Sequence, residues 1–360
     1  MSNSRPNARG CCCHSSRKDS AALPDYPTFH GVLDTIGATP LIRLDRIYDR
    51  PETDVWAKLE GVNPGGSAKD RTAAALFADA TENGRLIDVD SIIESTSGNL
   101  GIALARQALL AGLKFHCVAD PNINQPTKKT MQALGATIHV VNEPDPTTGD
   151  WLTARKAMVD RLLKEIPRSA TFDQYANRAA FSAHSDGTMR EIVDALGVPP
   201  DFLLVAMSTT GTIGGCRQYL RRIDAPTRVI GVDAEGSVLF GGKRGPRTLP
   251  GFGAGTEPEL ASHAQPHEVV RISEIDSIVG ARKLARSEGI LPGASGGAVI
   301  SALDQFLPTI PPGSTVAVVL HDLGHAYLDT VYDDEWVQDT IGVTPAELAE
   351  LVSRQIGRYS

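Results

Sequence analysis

Short runs of almost uninterrupted apolar residues recur along this chain, and longer stretches of helical period lie between them. That alternation constrains the fold more than any other feature. From about residue 30 the runs include "SIIEST", "KFHCVAD", "TIHVVN", "FLLVAMS", "RVIGVDA" and "TVAVVL". A strand with one wet face alternates apolar and polar residues, so continuous apolar runs indicate strands covered by helices on both faces. The segments between them, "LGIALARQALLAGL", "WLTARKAMVDRLLKEIP" and "SIVGARKLARSEG", read as helices, the first with Ile102, Ala105, Leu109 and Ala111–Leu113 on one stripe. Strand–helix–strand repetition predicts an α/β architecture with parallel sheets and right-handed crossovers, where ligands gather at the carboxyl ends of the strands. A length of 360 residues suits two domains or one large α/β domain. No internal repeat at solenoid periods interrupts the pattern.

Four junctions of this pattern carry Gly/Ser/Thr clusters: "NPGGSAKD" (63–70), "STSGNLG" (95–101), "STTGTIGG" (208–215) and "LPGASGG" (291–297). Such clusters offer backbone N–H groups and hydroxyls at a helix N-terminus, where the helix dipole favours an anion. The first cluster also sets Lys69 straight after a glycine turn and straight before a helix. A lysine placed there is more constrained than an ordinary solvated surface charge.

Several other readings of the sequence are weaker. A Walker A loop places its lysine directly after the last glycine, and "GGSAKD" breaks that order. "GFGAGT" (251–256) lacks the last glycine spacing of a dinucleotide fingerprint and has no clear strand before it. "GASGG" matches the GxSxG nucleophile elbow of serine hydrolases around Ser295, with Asp322 and His325 following in the right order. An elbow needs a strand running into the serine, however, and the lead-in "SEGILPG" contains Pro292; a hydrolase is therefore a minor alternative. "HDLGH" (321–325) could offer His321, Asp322 and His325 to a metal, but a strand-end loop is the simpler account, and no metal is expected.

Composition excludes further classes. A net charge of −8 and a pI near 5.6 argue against nucleic-acid binding, which draws on clustered Lys and Arg. No apolar run approaches the roughly 20 residues that span a bilayer, and residues 1–20 have no apolar core of a secretory signal, so a cytoplasmic location is expected. Cys11, Cys12 and Cys13 are adjacent, whereas structural zinc ligands stand two or more residues apart; residues 1–27 read as a polar disordered tail. Cys117, inside an apolar run, reads as a buried small hydrophobe.

Taken together, "NPGGSAKDR", "STSGN", "QYAN" (174–177), "STTGTIGG" and "EGILPGASGGA", in this order, resemble the fold type II pyridoxal-phosphate enzymes, the cysteine synthase and cystathionine β-synthase family. The likeness runs from "DTIGATPLIRL" (34–44) to "LGHAYLD" (323–329). It implies two open twisted-sheet α/β domains of the tryptophan synthase β-like kind, with pyridoxal 5′-phosphate as cofactor. A smaller mobile domain would span 63–173, and a larger cofactor-binding one 28–62 and 174–345, with 346–360 a C-terminal helix or tail. A homodimer is typical of the family.

Residue by residue, the resemblance implies that Lys69 is the Schiff-base lysine and that Ser208, Thr209, Thr210, Gly211 and Thr212 hold the cofactor phosphate. Asn99 matches the partner of the cofactor's 3′-oxygen, and Ser295 the partner of its pyridine nitrogen. Thr96, Ser97, Gly98 and Gln174 match the loop gripping the substrate α-carboxylate. A neutral hydroxyl at the pyridine nitrogen makes the ring a weak electron sink, which favours expelling a good β-leaving group over transamination.

Within the family, "VDAEGSVLFG", "LPGFGAG", "VYDDEW", Tyr175 and "STTG" look more like a siderophore-pathway enzyme that makes N-(2-amino-2-carboxyethyl)-L-glutamate, a precursor of 2,3-diaminopropionate. That likeness implies O-phospho-L-serine as first substrate and L-glutamate as amine donor, with Arg155, Tyr175 and Ser208 as candidates for the leaving phosphate. A cysteine synthase using O-acetylserine or O-phosphoserine is the alternative. The chain departs from the family at "GTMRE", with Met189 and Arg190, and at "HDLGHAY", which sets His321 and His325 near the expected active-site rim; Arg190 or these histidines are candidate contacts for glutamate carboxylates.

Overall fold

The computed structural model describes residues 28–48 and 52–356, so the expected tail and Cys11–Cys13 lie outside the described residues. Its strands are β1 (Leu41–Arg43), β2 (Thr53–Leu59), β3 (Ser91–Ser95), β4 (Lys114–Ala119), β5 (Thr137–Val140), β6 (Ser169–Ala170), β7 (Phe202–Ala206), β8 (Arg228–Ala234), β9 (Glu268–Ile272) and β10 (Ser314–Leu320). The helices are α1 (Lys69–Glu82), α2 (Asn99–Leu110), α3 (Gln125–Ala133), α4 (Trp151–Glu165), α5 (Ala179–Ala183), α6 (Arg190–Leu196), α7 (Gly211–Arg222), α8 (Glu274–Glu288), α9 (Ala294–Phe306), α10 (Asp334–Ile341) and α11 (Pro345–Ile356).

Two sheets form. One is six-stranded in the order β1-β2-β10-β7-β8-β9, the other four-stranded in the order β5-β4-β3-β6. The mixed α/β class read from the sequence is what the chain adopts. Every strand pairing is parallel except β1 with β2, where Leu41–Arg43 runs antiparallel against Trp56–Lys58. The sequence reading of purely parallel sheets is corrected there. The connection from Arg43 to Thr53 is shorter than the dozen or so residues of the crossover that a parallel neighbour needs.

Burial explains why the strands read as continuous apolar runs. In β10, Val316 and Val318 face one core with Val55, Leu204, Ile230 and α9, whereas Ala317 and Val319 face a second core with Leu203, Val205 and α7. Both faces of the sheet are dry, so the period-2 signal vanishes although the backbone keeps it. The smaller sheet behaves alike: Ile92 and Cys117 pack toward α1 and α2, and Ile93 and Val118 toward α4. Burying each large aliphatic side chain contributes about 1.5–3 kcal/mol.

The helices are bounded by recognisable chemistry. Asp150 caps α4 by accepting the Thr153 N–H at 2.8 Å, and Ser273 caps α8 by accepting from Asp276 at 3.1 Å. Gly289 ends α8 in the left-handed conformation, φ +70°. The stripe expected on α2 is wrong in its second half. Leu109 and Leu110 are more than half exposed, and nearly every residue from Leu100 to Ala108 is buried instead. The helix enters the core by its N-terminal end, so burial follows position along the axis more than the helical face.

Candidate active site

The carboxyl ends of β2, β10 and β7 from the large sheet and of β3 from the small one meet at a single place, lined by Lys69, Asn99, the 208–212 loop, Ser295, His321 and Asp322. All eight residues predicted to bind a cofactor are thus brought together. Each of the four Gly/Ser/Thr clusters opens a helix there: α1, α2, α7 and α9.

Lys69 is held by a turn that cannot easily move. Gly66 adopts φ +82°, a conformation suited to glycine. A Cβ on Gly65 would lie 2.4 Å from the Asp70 carboxylate, which accepts the Gly65 N–H at 2.8 Å and pairs with Arg106. On the other side, the Ala68 N–H donates to the His321 carbonyl at 2.8 Å. The Lys69 amine reaches the cavity but is otherwise surrounded by protein. That burial lowers its pKa, and the nearby Asp322 only partly opposes the shift.

Thr210 has φ +65° although it is β-branched, so the loop is strained where it turns into α7. Its buried hydroxyl has no hydrogen-bond partner, and the first-turn N–H groups of α7 have none within the helix. Beneath the loop, His184 stands fully buried, with Nε2 3.1 Å from Thr72 Oγ1 and 3.3 Å from Thr212 Oγ1, and Nδ1 3.0 Å from Thr188 Oγ1. Burial, reinforced by Lys69 and Arg71, drives its pKa far down, so it is a neutral spacer between α1 and the loop.

The sequence offers Asp322 only as a hydrolase or metal residue, and in the fold it lines the inner cavity. It accepts from Asn99 Nδ2 at 2.8 Å, from the Tyr327 hydroxyl at 2.8 Å, and from Ser295 Oγ at a longer 3.4 Å. Burial raises its pKa, against the pull of those donors and of Lys69. His321 lines the inner cavity, and both its ring nitrogens are buried without a hydrogen-bond partner. Burial, and then Lys69, push its pKa down to about 3. His325 lies on the exposed surface, and residues 290–293 form no strand, so neither the third member nor the lead-in of a hydrolase elbow is present. Among the described residues no group of His, Cys, Asp and Glu could hold a metal.

A second, outer cavity of about 420 Å³ adjoins the first, sharing Ser208, Thr209 and Gly251 with it. Ser97, Tyr175 and Arg155 line it. Arg155 is not a solvated surface charge: it is mostly buried, Nη1 donates to Ser97 Oγ at 3.2 Å, and Nε lies 3.5 Å from the Asp120 carboxylate. Thr96 and Gln174 stand behind this wall, where Gln174 Nε2 donates to the Ser95 carbonyl at 2.8 Å. Gly98 caps α2.

Met189 is fully buried in the core, and Arg190 is half exposed on the surface, where its Nε donates to the Asp186 carbonyl and its Nη1 approaches Asp194. Arg190 and His325 are therefore both outside the cavity, a correction to their candidacy as glutamate contacts. Sequence reasoning missed Arg244 and Arg247 in the outer cavity, because nothing in "GGKRGPRTL" marks one arginine as inward-facing.

The profile of a family described as "Pyridoxal-phosphate dependent enzyme" matches residues 32–322. Among solved structures, an O-acetylserine-dependent cystathionine β-synthase from Helicobacter pylori superposes with a TM-score of 0.78 at 31% identity, over 85% of this chain and 99% of that one. An O-ureido-L-serine synthase gives 0.78 at 31% identity, over 88% and 96% of the two chains. A hydrogen sulfide-producing enzyme from Fusobacterium nucleatum gives 0.76 at 28% identity, over 84% and 100%.

Proposed function

The chain belongs to the pyridoxal-phosphate-dependent enzyme family, and we propose that it catalyses a β-replacement in which O-phospho-L-serine and L-glutamate give N-(2-amino-2-carboxyethyl)-L-glutamate and phosphate. The observation that carries this reading is the pairing of a desolvated Lys69 amine in the inner cavity with a buried arginine, Arg155, in the cavity next to it.

The inner cavity fits the cofactor. The first-turn N–H groups of α7, which have no partner within the helix, and the orphaned Thr210 hydroxyl suit a phosphate dianion without any lysine or arginine. When bound, the cofactor supplies an electron sink for the substrate α-carbon. In the proposed mechanism Lys69 would hold the coenzyme through its aldehyde, and the same amine, its lowered pKa keeping a lone pair available, would serve as the general base for the substrate α-proton. Ser97 and the first turn of α2 bind the substrate carboxylate. Arg155, with Tyr175 and Ser208, receives the departing phosphate by charge-assisted hydrogen bonds. The glutamate amine then bonds to the β-carbon, losing a proton, and Lys69 returns a proton to the α-carbon.

The likeness to an O-acetylserine-dependent cystathionine β-synthase favours a second reading, replacement on O-acetylserine by a sulfur nucleophile. Arg155 argues for the first reading, since a leaving acetate has no need of so strong a cation. Mass spectrometry of the products formed from O-phospho-L-serine, or O-acetyl-L-serine, offered glutamate and sulfide in competition decides between them. Borohydride reduction should leave the pyridoxyl mass on the peptide carrying Lys69; the same mass on another lysine overturns the assignment.

A further inference from the structure

The outer cavity contains a guanidinium with no direct partner. Arg247 lines it beside Arg155 and Arg244, and it makes no hydrogen bond or contact ion pair with any described residue. The acids around it are Asp233, Glu274 and Asp150, and none of them makes a hydrogen bond or contact ion pair with it. Asp233 faces Arg271 from 3.9 Å, Glu274 accepts from the Thr248 and Leu249 N–H groups, and Asp150 caps α4 while lying 3.7 Å from Arg244. A partly buried arginine left in this state has lost hydration and gained little in return.

The backbone around it is shaped to expose the guanidinium. A Cβ on Gly253 would stand 2.8 Å from Arg247 Nη1, and one on Gly255 3.4 Å from Nη2. Gly253 also has φ +77° and is tied to β7 by its N–H to the Met207 carbonyl at 2.6 Å. The "GFGAG" glycines that mimic a dinucleotide fingerprint thus form a bare shelf on which the guanidinium lies. Because Ser208, Thr209 and Gly251 border both cavities, a small molecule seated on Arg247 is contiguous with the inner cavity.

We propose that Arg247 is the carboxylate-binding residue of a subsite for the second substrate, a small amine carrying a carboxylate, with Arg244 adding charge at the mouth. The proposal rests on the β-replacement reading and deepens it: a planar, fixed-charge fork recognises a carboxylate through two parallel hydrogen bonds. Arg155, already paired with Asp120, is left for the leaving group of the first substrate.

Glutarate, which offers carboxylates but no amine, is the probe. It is titrated calorimetrically into the holoenzyme with and without saturating O-phospho-L-serine, for the wild type, R247Q and R247K. Binding should weaken about tenfold or more in R247Q and fall between the two in R247K; the lysine variant carries the test if R247Q does not fold. In steady state the KM for glutamate should rise likewise in R247Q while the KM for O-phospho-L-serine stays within about twofold. Equal glutarate affinity in all three proteins, or none in the wild type under both conditions, overturns the subsite. Failure of the β-replacement reading shows separately, as the absence of a glutamate adduct among wild-type products whatever the glutarate result.

Discussion

Replacing Glu94 with glutamine should abolish a specific part of the protein's pH-dependent stability. Glu94 is fully buried at the end of β3, and one carboxylate oxygen accepts from Thr171 Oγ1 and from the Phe172 and Asp173 N–H groups, each at 3.1 Å. It thereby fixes the segment that delivers Gln174 and Tyr175 to the site. Burial pushes its pKa up from 4.5 to about 7, because these hydrogen bonds do not fully replace lost hydration. The folded state holds the proton more tightly than the unfolded chain, so this group's contribution is intact below pH 4.5 and is lost as pH rises through 7. At about 1.4 kcal/mol per pK unit, the loss between pH 5 and 8 is about 2.5 kcal/mol. Glutamine keeps an acceptor oxygen and cannot ionise. Urea unfolding of wild type and E94Q at pH 5, 6, 7 and 8 should show the variant gaining on the wild type by that amount across the series. A difference that is flat with pH would refute the reasoning, since the hydrogen bonds would then have matched the desolvation cost.

Glu191 binds Arg71 through both oxygens at 2.7 Å and Lys58 at 2.7 Å; E191A leaves Lys58 with only the Thr39 carbonyl and Arg71 with Glu60 as its one carboxylate, and should cost about 2–4 kcal/mol in chemical denaturation, a loss below 1 kcal/mol counting against the network. A Cβ on Gly297 would lie 2.0 Å from the Ser277 carbonyl where α9 crosses α8, so G297A should lower stability by about 1–3 kcal/mol through overpacking; an unchanged melting temperature would contradict this. R155Q should raise the KM for O-phospho-L-serine about tenfold or more in a phosphate-release assay, and an unaltered KM would remove Arg155 from the leaving-group site.

What could be read from the sequence, and what could not, has a physical pattern. Strands buried on both faces are legible because they are apolar throughout, and the helix N-termini of the candidate site are legible because Gly, Ser and Thr cluster at them. The junctions at Lys69, Asn99, Gly211 and Ala294 therefore stood out. Amphipathic arithmetic failed on α2, since a helix that enters a core end-on buries residues by depth, leaving Leu109 and Leu110 outside. Long-range polar contacts are not legible from pattern or composition, and only the family resemblance singles out Arg155. Arg155, Arg190 and Arg247 are alike as letters, and only the tertiary fold sends Arg155 and Arg247 inward while Asp186 and Asp194 hold Arg190 at the surface. Gly293 and Gly297 of "GASGG" imitate a hydrolase motif because tight helix crossings and sharp turns both demand the absence of a Cβ.

Asp322 changes how Ser295 is understood. From the sequence, Ser295 is a lone neutral hydroxyl; in the fold, a buried carboxylate lies 3.4 Å from it. Were that contact short, the serine proton would be committed to Asp322, and Ser295 would present only lone pairs to a ring nitrogen. Instead, Asp322 takes its two short hydrogen bonds, each 2.8 Å, from Asn99 and Tyr327. A hydrogen bond at 3.4 Å is weak, so the serine hydroxyl stays free to rotate and donate, as its proposed role at the pyridine nitrogen requires. A neutral donor there leaves the ring a modest electron sink, and loss of a β-leaving group is the chemistry such a sink serves best.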